Sequence, residues 1–189
     1  MKSIYKTSFP TDQFTQEWRS IIYHSQKCLS YRLFKESLML ESYLFILPRK
    51  YATILCKFRC NNFKLPIECG RWNNTPRNLR FCSLCNQNNV GDEYHYIFEC
   101  THYDIAFARK SFLSEKLIKK PNVIKFKELF TTSNFAQLKN LCKFLFVLKK
   151  HMIWFLNIFP SYFLIHLMWN SIYLFLFFYV HSIIKIHVH

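Results

Sequence analysis

Apolar positions recur at helical spacing over most of the first 150 residues, with one long break between residues 61 and 91. Along 11–35, Phe14, Trp18, Ile21, Ile22 and Leu29 keep roughly a 3.6-residue period, and Thr11 or Asp12 is placed to cap a helix. A second helix is predicted from near Pro48 through RKYATILCKFRC, since proline is tolerated in a first turn. Its stripe is Tyr51, Ile54, Leu55 and Phe58, flanked by Arg49, Lys50, Lys57 and Arg59. Beyond the break, the pattern predicts a helix from Tyr103 to Lys119, ended by Pro121, and a short one over Asn122–Phe130. A longer helix comes next, capped by Thr132 or Ser133. Leu138, Leu141, Cys142, Leu145 and Leu148 form its core stripe, with Lys139 and Lys143 on a polar face. The break itself opens with NNFKLPIECGRWNNTPRNLRFC, holds asparagine pairs, Pro66, Pro76 and Gly70, and reads as loop and turn with one short strand.

The last part of the chain has a different texture. His151 to Ile184 contains no Lys, Arg, Asp or Glu, and the part after Pro160 is long enough to span a bilayer. Lys149 and Lys150 would put the N-terminal side of such a span in the cytoplasm. Three features argue against a selected span. Residues 151–189 lack Gly and Ala, and Asn157, His166 and Asn170 place polar groups in the run. Phe, Ile, Leu, Tyr, His, Asn and Ser are also what AT-rich codons encode, so translated noncoding DNA would yield a similar tail. The fold class expected is mainly α: a small helical domain around a central Cys-Cys-His-Cys loop, followed by a long apolar C-terminal helix. The regions are 1–60 (helical), 61–102 (metal-binding), 103–150 (helical) and 151–189 (apolar tail, with the span at about 161–184).

At 189 residues the chain is one domain or two small ones. Its net charge is +15, and +14 of that lies in residues 1–150. Such an excess draws a protein to polyanions, RNA, DNA or acidic lipid, or else only solvates its surface. The opening MKSIYKTSFPTDQFTQEW has no apolar stretch or small-residue cleavage site, so a secreted, disulfide-rich protein is not expected. A reducing compartment, intracellular or nuclear unless the tail inserts in a membrane, favours metal ligation as the use of closely spaced cysteines.

Cys82, Cys85, His95 and Cys100 have that spacing, C-x2-C-x9-H-x4-C, in FCSLCNQNNVGDEYHYIFECTHY. Three thiolates and one imidazole make a closed tetrahedral set that holds structural zinc, with no position left for catalytic water. Asn86, Asn88, Asn89 and Gly91 suit the turn between the two halves. In small finger peptides zinc contributes about 10–16 kcal/mol of apparent folding energy. His102 is the rival imidazole, but it follows Cys100 too closely to make a second pair. Cys28, Cys56, Cys60, Cys69 and Cys142 are scattered and expected mostly in the core; Cys56 and Cys60, spaced i, i+4, share a helix face. Ahead of the site, Arg59, Lys64, Arg71, Arg77 and Arg80 interleave with Phe58, Phe63, Trp72 and Phe81. Cations can hold phosphates and exposed rings can stack on unpaired bases, which makes Arg59, Lys64, Arg71, Trp72, Arg77 and Arg80 the candidate nucleic-acid contacts.

The stretch LCKFRCNNFKLPIECGRWNNTPRNLRFCSLCNQNNVGDEYHYIFEC resembles the zinc-binding region behind the reverse transcriptase in jockey-type non-LTR retrotransposon polyproteins. The likeness rests on Phe58-Arg59, Leu65-Pro66, Gly70-Arg71-Trp72, Cys82 and Cys85, Gly91-Asp92-Glu93, His95 and Cys100, with FKELF at Phe126–Phe130. It covers roughly residues 20–150; Cys60 stands at a position that is Thr or Cys in that family. The resemblance implies a nucleic-acid-binding accessory to reverse transcription, contacting template RNA or target DNA and taking no small-molecule substrate. The chain has no paired-aspartate polymerase motif and no endonuclease, so the expected function is that of a non-catalytic remnant. The other reading is a small single-pass membrane protein with a basic cytoplasmic domain.

Overall fold

The computed structural model describes residues 12–152 apart from Glu36 and Leu38. The chain divides into two units, 1–149 and 150–189, and the second is described only at its first three residues, which are helical. The sequence expectation of a long apolar helix and membrane span at about 161–184 lies outside the described residues. Among the described residues, no helix is long and apolar enough to cross a membrane.

The first unit is mainly α, as expected. Its helices are α1 (Asp12–His24), α2 (Tyr31–Phe34), α3 (Tyr43–Ile46), α4 (Arg49–Arg59), α5 (Pro66–Trp72), α6 (Tyr103–Phe112), α7 (Glu115–Ile118), α8 (Val123–Thr131) and α9 (135–149). Among the described residues the short strand expected in the break is reduced to one isolated antiparallel bridge, Phe81 to Val90.

The asparagine pairs explain why the break differs from its expected loop. Helix α4 ends with Asn61 in the left-handed region (φ 51°), with Asn61 N bonded to Phe58 O and Asn62 N bonded to Lys57 O. Helix α5 ends the same way: Asn74 has φ 54°, Asn74 N meets Arg71 O and Thr75 N meets Gly70 O. Both are Schellman caps in which asparagine takes the place usually held by glycine, a natural substitution in a chain with only 2 glycines. The segment LPIECGRW, expected as loop, is therefore a helix with Pro66 in its first turn.

Two expected helices are interrupted. The predicted 11–35 helix stops at His24, where Ser25 caps a short 3-10 turn by accepting from Lys27 N. The predicted 103–119 helix breaks at Leu113, which is extended and 6% exposed, giving α6 and α7.

The core is aromatic. Phe34 of α2 lies 4.7 Å from Phe130 of α8, and Phe58 of α4 stacks on Phe130 at 5.6 Å. Phe126 of α8 contacts Tyr94 at 5.5 Å and Phe98 at 6.0 Å, which ties the segment before Cys100 to the helices. The α9 stripe Leu138, Leu141, Cys142, Leu145 and Leu148 is fully buried, as its spacing indicated. Cys60 departs from the core reading: it is exposed, with Cys56 half-buried and their sulfurs 4.0 Å apart.

Candidate metal centre

The loop carrying Cys82 and Cys85 is closed by the Phe81–Val90 bridge. Cys82 N donates to Asn89 O at 2.8 Å and Gly91 N donates to Arg80 O at 2.8 Å. Asn88 makes the reversal at φ 54°. Within the knuckle, Leu84 N points at Cys82 Sγ (3.4 Å), so a main-chain N–H supports the sulfur's negative charge.

The second pair comes from one unusual turn. His95–Glu99 is a single π-helical turn, closed by Cys100 N donating to His95 O at 2.8 Å. Such turns are rare and concentrate at functional sites. Here the extra residue per turn leaves His95 and Cys100 at its two ends, both facing the knuckle. Asp92 caps the turn, its Oδ1 accepting from His95 N at 3.0 Å, while its Oδ2 pairs with Arg77.

The four ligand atoms, all from buried residues, lie within 4.8 Å of one another. Cys82 Sγ is 3.8 Å from Cys100 Sγ, and Cys85 Sγ is 3.4 Å from His95 Nε2. A tetrahedral ion with metal–sulfur bonds of about 2.3 Å and metal–nitrogen bonds of about 2.0–2.1 Å has sulfur–sulfur edges of about 3.8 Å and sulfur–nitrogen edges of about 3.6 Å. The residues fit such an ion. Glu99 Oε2 lies 3.4 Å from His95 Nδ1, which holds the ring so that Nε2 faces the sulfurs. Tyr96 OH is 3.3 Å from Cys82 Sγ on the other side.

Comparison with protein-family models, curated proteins and solved structures gives no match. The function must be argued from the site itself.

The electrostatics suit a cation. The hydrogen bond from the Cys100 thiol holds Cys82 well below the usual thiol range and drives Cys100 above it. Burial pulls His95 down, but the Cys82 and Cys85 sulfurs outweigh it and push the imidazole up to about 9. Protons and a divalent ion therefore compete for these ligands, so binding of the ion is coupled to proton loss.

Two further motif residues brace the segment that carries the ligands. A Cβ on Gly91 would stand 2.9 Å from Pro66 Cγ and 3.0 Å from Cys82 Cα, so only glycine lets α5 pack against the knuckle. Glu93 is buried and accepts from Asn61 Nδ2 (2.7 Å) and Ser30 Oγ (2.9 Å), joining the π turn to the α4 cap and to the start of α2. Burial raises its carboxyl above the usual range.

The candidate nucleic-acid contacts divide three ways. Arg71, Arg77 and Arg80 line one cleft of about 350 Å³, joined by Gln26. Arg77 is the most open of the three, Arg71 is paired with the buried Glu68 at 3.0 Å, and Arg80 donates to Thr75 O and Ile67 O. Arg80 is thus a clamp on the loop. Lys64 and Trp72 (55% exposed) are on the surface but do not line that cleft. Arg59 is a correction. It is 2% exposed, donates to Phe130 O at 2.8 Å, meets Glu41 at 2.9 Å, and lies over the Phe34 and Tyr43 rings, so it holds the core together and does not face a polyanion. Sequence reasoning also missed Glu99 and Arg109 at the metal site. The i, i+4 spacing of His95 and Glu99 could have flagged the first; no local signal marks the second.

Proposed function

We propose that this chain is a zinc-stapled, non-catalytic helical module that binds nucleic acid, of the kind that follows the reverse transcriptase in jockey-type non-LTR retrotransposon polyproteins. The observation that carries the reading is the convergence of Cys82, Cys85, His95 and Cys100 within 4.8 Å, with the Cys82–Cys100 and Cys85–His95 edges near tetrahedral lengths. Three soft thiolates with one imidazole favour zinc over magnesium or calcium, which take oxygen ligands. All four positions of the tetrahedron are protein ligands, which makes the ion a staple and not a Lewis acid.

The nucleic-acid part is supported by the +14 charge of residues 1–150, by the Arg71–Arg77–Arg80 cleft, and by the exposed Trp72 that follows Arg71. Guanidinium groups recognise phosphate in a planar, two-pronged way, and an exposed indole offers a face for an unpaired base. The test is metal content of the purified full-length protein together with binding of a fluorescent single-stranded RNA at two salt concentrations. One zinc per chain is expected, lost on Cys85→Ser and on His95→Ala. Arg77→Ala should lower the salt slope by about 0.7, the share of one phosphate contact on a single strand. Salt-independent or absent RNA binding by the zinc-loaded protein would sink the nucleic-acid reading, and primer extension would sink the non-catalytic one.

A further inference from the structure

Arg109, on α6, is 8% exposed, and its hydrogen bonds among the described residues go to main-chain carbonyls alone. Its Nε donates to Ile97 O at 2.7 Å, and its Nη2 donates to Cys100 O at 2.9 Å and to Tyr96 O at 3.3 Å. All three carbonyls belong to the π turn or to the ligand that ends it. A guanidinium taken out of water with carbonyl dipoles for company and no carboxylate bonded to it is strongly disfavoured unless an anion stands close by. The nearby carboxylate, Glu99, is 41% exposed and turned towards His95 Nδ1.

The anion is the cage. Three thiolates around a divalent ion leave a net charge of −1, buried among the same residues that Arg109 bonds. We infer that Arg109 is the counter-charge of the filled metal cage. This rests on the metal reading above. Its fork spans the carbonyls of Tyr96, Ile97 and Cys100, which anchors the charge against the segment that carries the cage's last two ligands. Charge and geometry can be separated, because glutamine keeps a donor for the carbonyls without the charge, whereas lysine keeps the charge without the fork.

The experiment is titration of the full-length protein with Co(II), whose thiolate charge-transfer and d–d bands report a tetrahedral sulfur-rich site, followed by competition with Zn(II). The parent protein should bind one Co(II). Arg109→Gln should weaken binding about tenfold or more, in the range of other outer-shell partners, while Arg109→Lys should stay within about threefold. In a Cys85→His background the cage is neutral, and Arg109→Gln should then change affinity by less than about threefold. An equal loss in both cages would reduce Arg109 to a loop staple and overturn the proposal, as would parent-like binding by Arg109→Gln. If Arg109→Gln does not fold, a tenfold loss in Arg109→Lys overturns it and near-parent binding supports it; if Cys85→His binds nothing, the glutamine–lysine contrast decides. A parent chain that binds no Co(II) removes the metal reading itself, a different result from a metal-binding parent with an indifferent Arg109.

Discussion

Replacing Arg59 with alanine should unfold this protein more readily without altering the RNA binding proposed above. The side chain is 2% exposed and reaches across the core from α4 to the end of α8, donating from Nη1 to Phe130 O at 2.8 Å. A charged donor on a carbonyl is worth about 1.5–3 kcal/mol. Nη2 meets Glu41 at 2.9 Å as an ion pair without aligned hydrogen bonds, and Nε has no hydrogen-bond partner, so this second contact is not at full strength. Glu41 is also 23% exposed and can rehydrate, which keeps its loss well below the 3–5 kcal/mol typical of breaking a fully buried pair. The guanidinium lies 5.0 Å from the Tyr43 ring and 5.5 Å from the Phe34 ring, adding about 0.5–2 kcal/mol. These contributions overlap, and a net loss of about 3 kcal/mol is reasonable, equivalent to about 6–12 °C in Tm for a chain of this size. Thermal melts by circular dichroism measure the first half, and RNA titrations well below the melt at two salt concentrations measure the second. A variant that melts within about 2 °C of the parent but loses a unit of salt slope would show Arg59 on the binding face and refute the burial argument.

Chelation should act on the whole unit and not on one loop, because Phe98 and Tyr94 carry the π turn into the aromatic core. Restoring free zinc to about 100 times its dissociation constant should recover about 2.7 kcal/mol, seen as a rise of roughly 5–11 °C in Tm. Gly91→Ala should cost about 1–3 kcal/mol through overpacking against Pro66 and the Cys82 backbone, and should weaken zinc binding as well; calorimetry of the metal-loaded and metal-free variant separates the two. Zinc affinity should rise with pH. His95, held up at about 9 in the metal-free cluster, and Cys100, held higher still, are both protonated at neutral pH and must lose those protons to bind. Affinity should therefore climb through neutrality and keep rising, less steeply, once His95 has titrated above about 9, because Cys100 still has a proton to lose; calorimetry at pH 7 in buffers of different ionisation enthalpy should detect proton release. Zinc binding with no proton release at that pH contradicts the cluster's electrostatics.

Residues close in sequence carried most of what could be read without a structure. The α9 stripe, the Pro48 boundary of α4 and the short helix over Asn122–Phe130 follow from helical period and local chemistry, and the structure adds Asn122 as that helix's cap, accepting from Lys125 N. The four metal ligands were legible because C-x2-C and H-x4-C are local spacings set by turns. Where the structure differs, the cause lies in contacts the local pattern does not contain. Asn61 and Asn73-Asn74 looked like loop because asparagine favours turns, yet in this glycine-poor chain they end two helices, and only the bonds of Asn62 N and Thr75 N to carbonyls one turn back reveal it. Arg59 read as surface charge because arginine usually is, and nothing local singled out Arg109. Their burial was decided by Phe130 and Glu41 in one case and by the Tyr96–Cys100 carbonyls in the other.

The sequence by itself determined a mainly helical chain with a soft four-ligand set in its middle and a strong positive charge around it, since helical period, ligand spacing and net charge are properties of neighbouring residues. Only the tertiary structure decided which cations are free to meet a partner. A guanidinium's role depends on the dielectric and the acceptors around it, and those come from residues as far apart as Arg59 and Phe130.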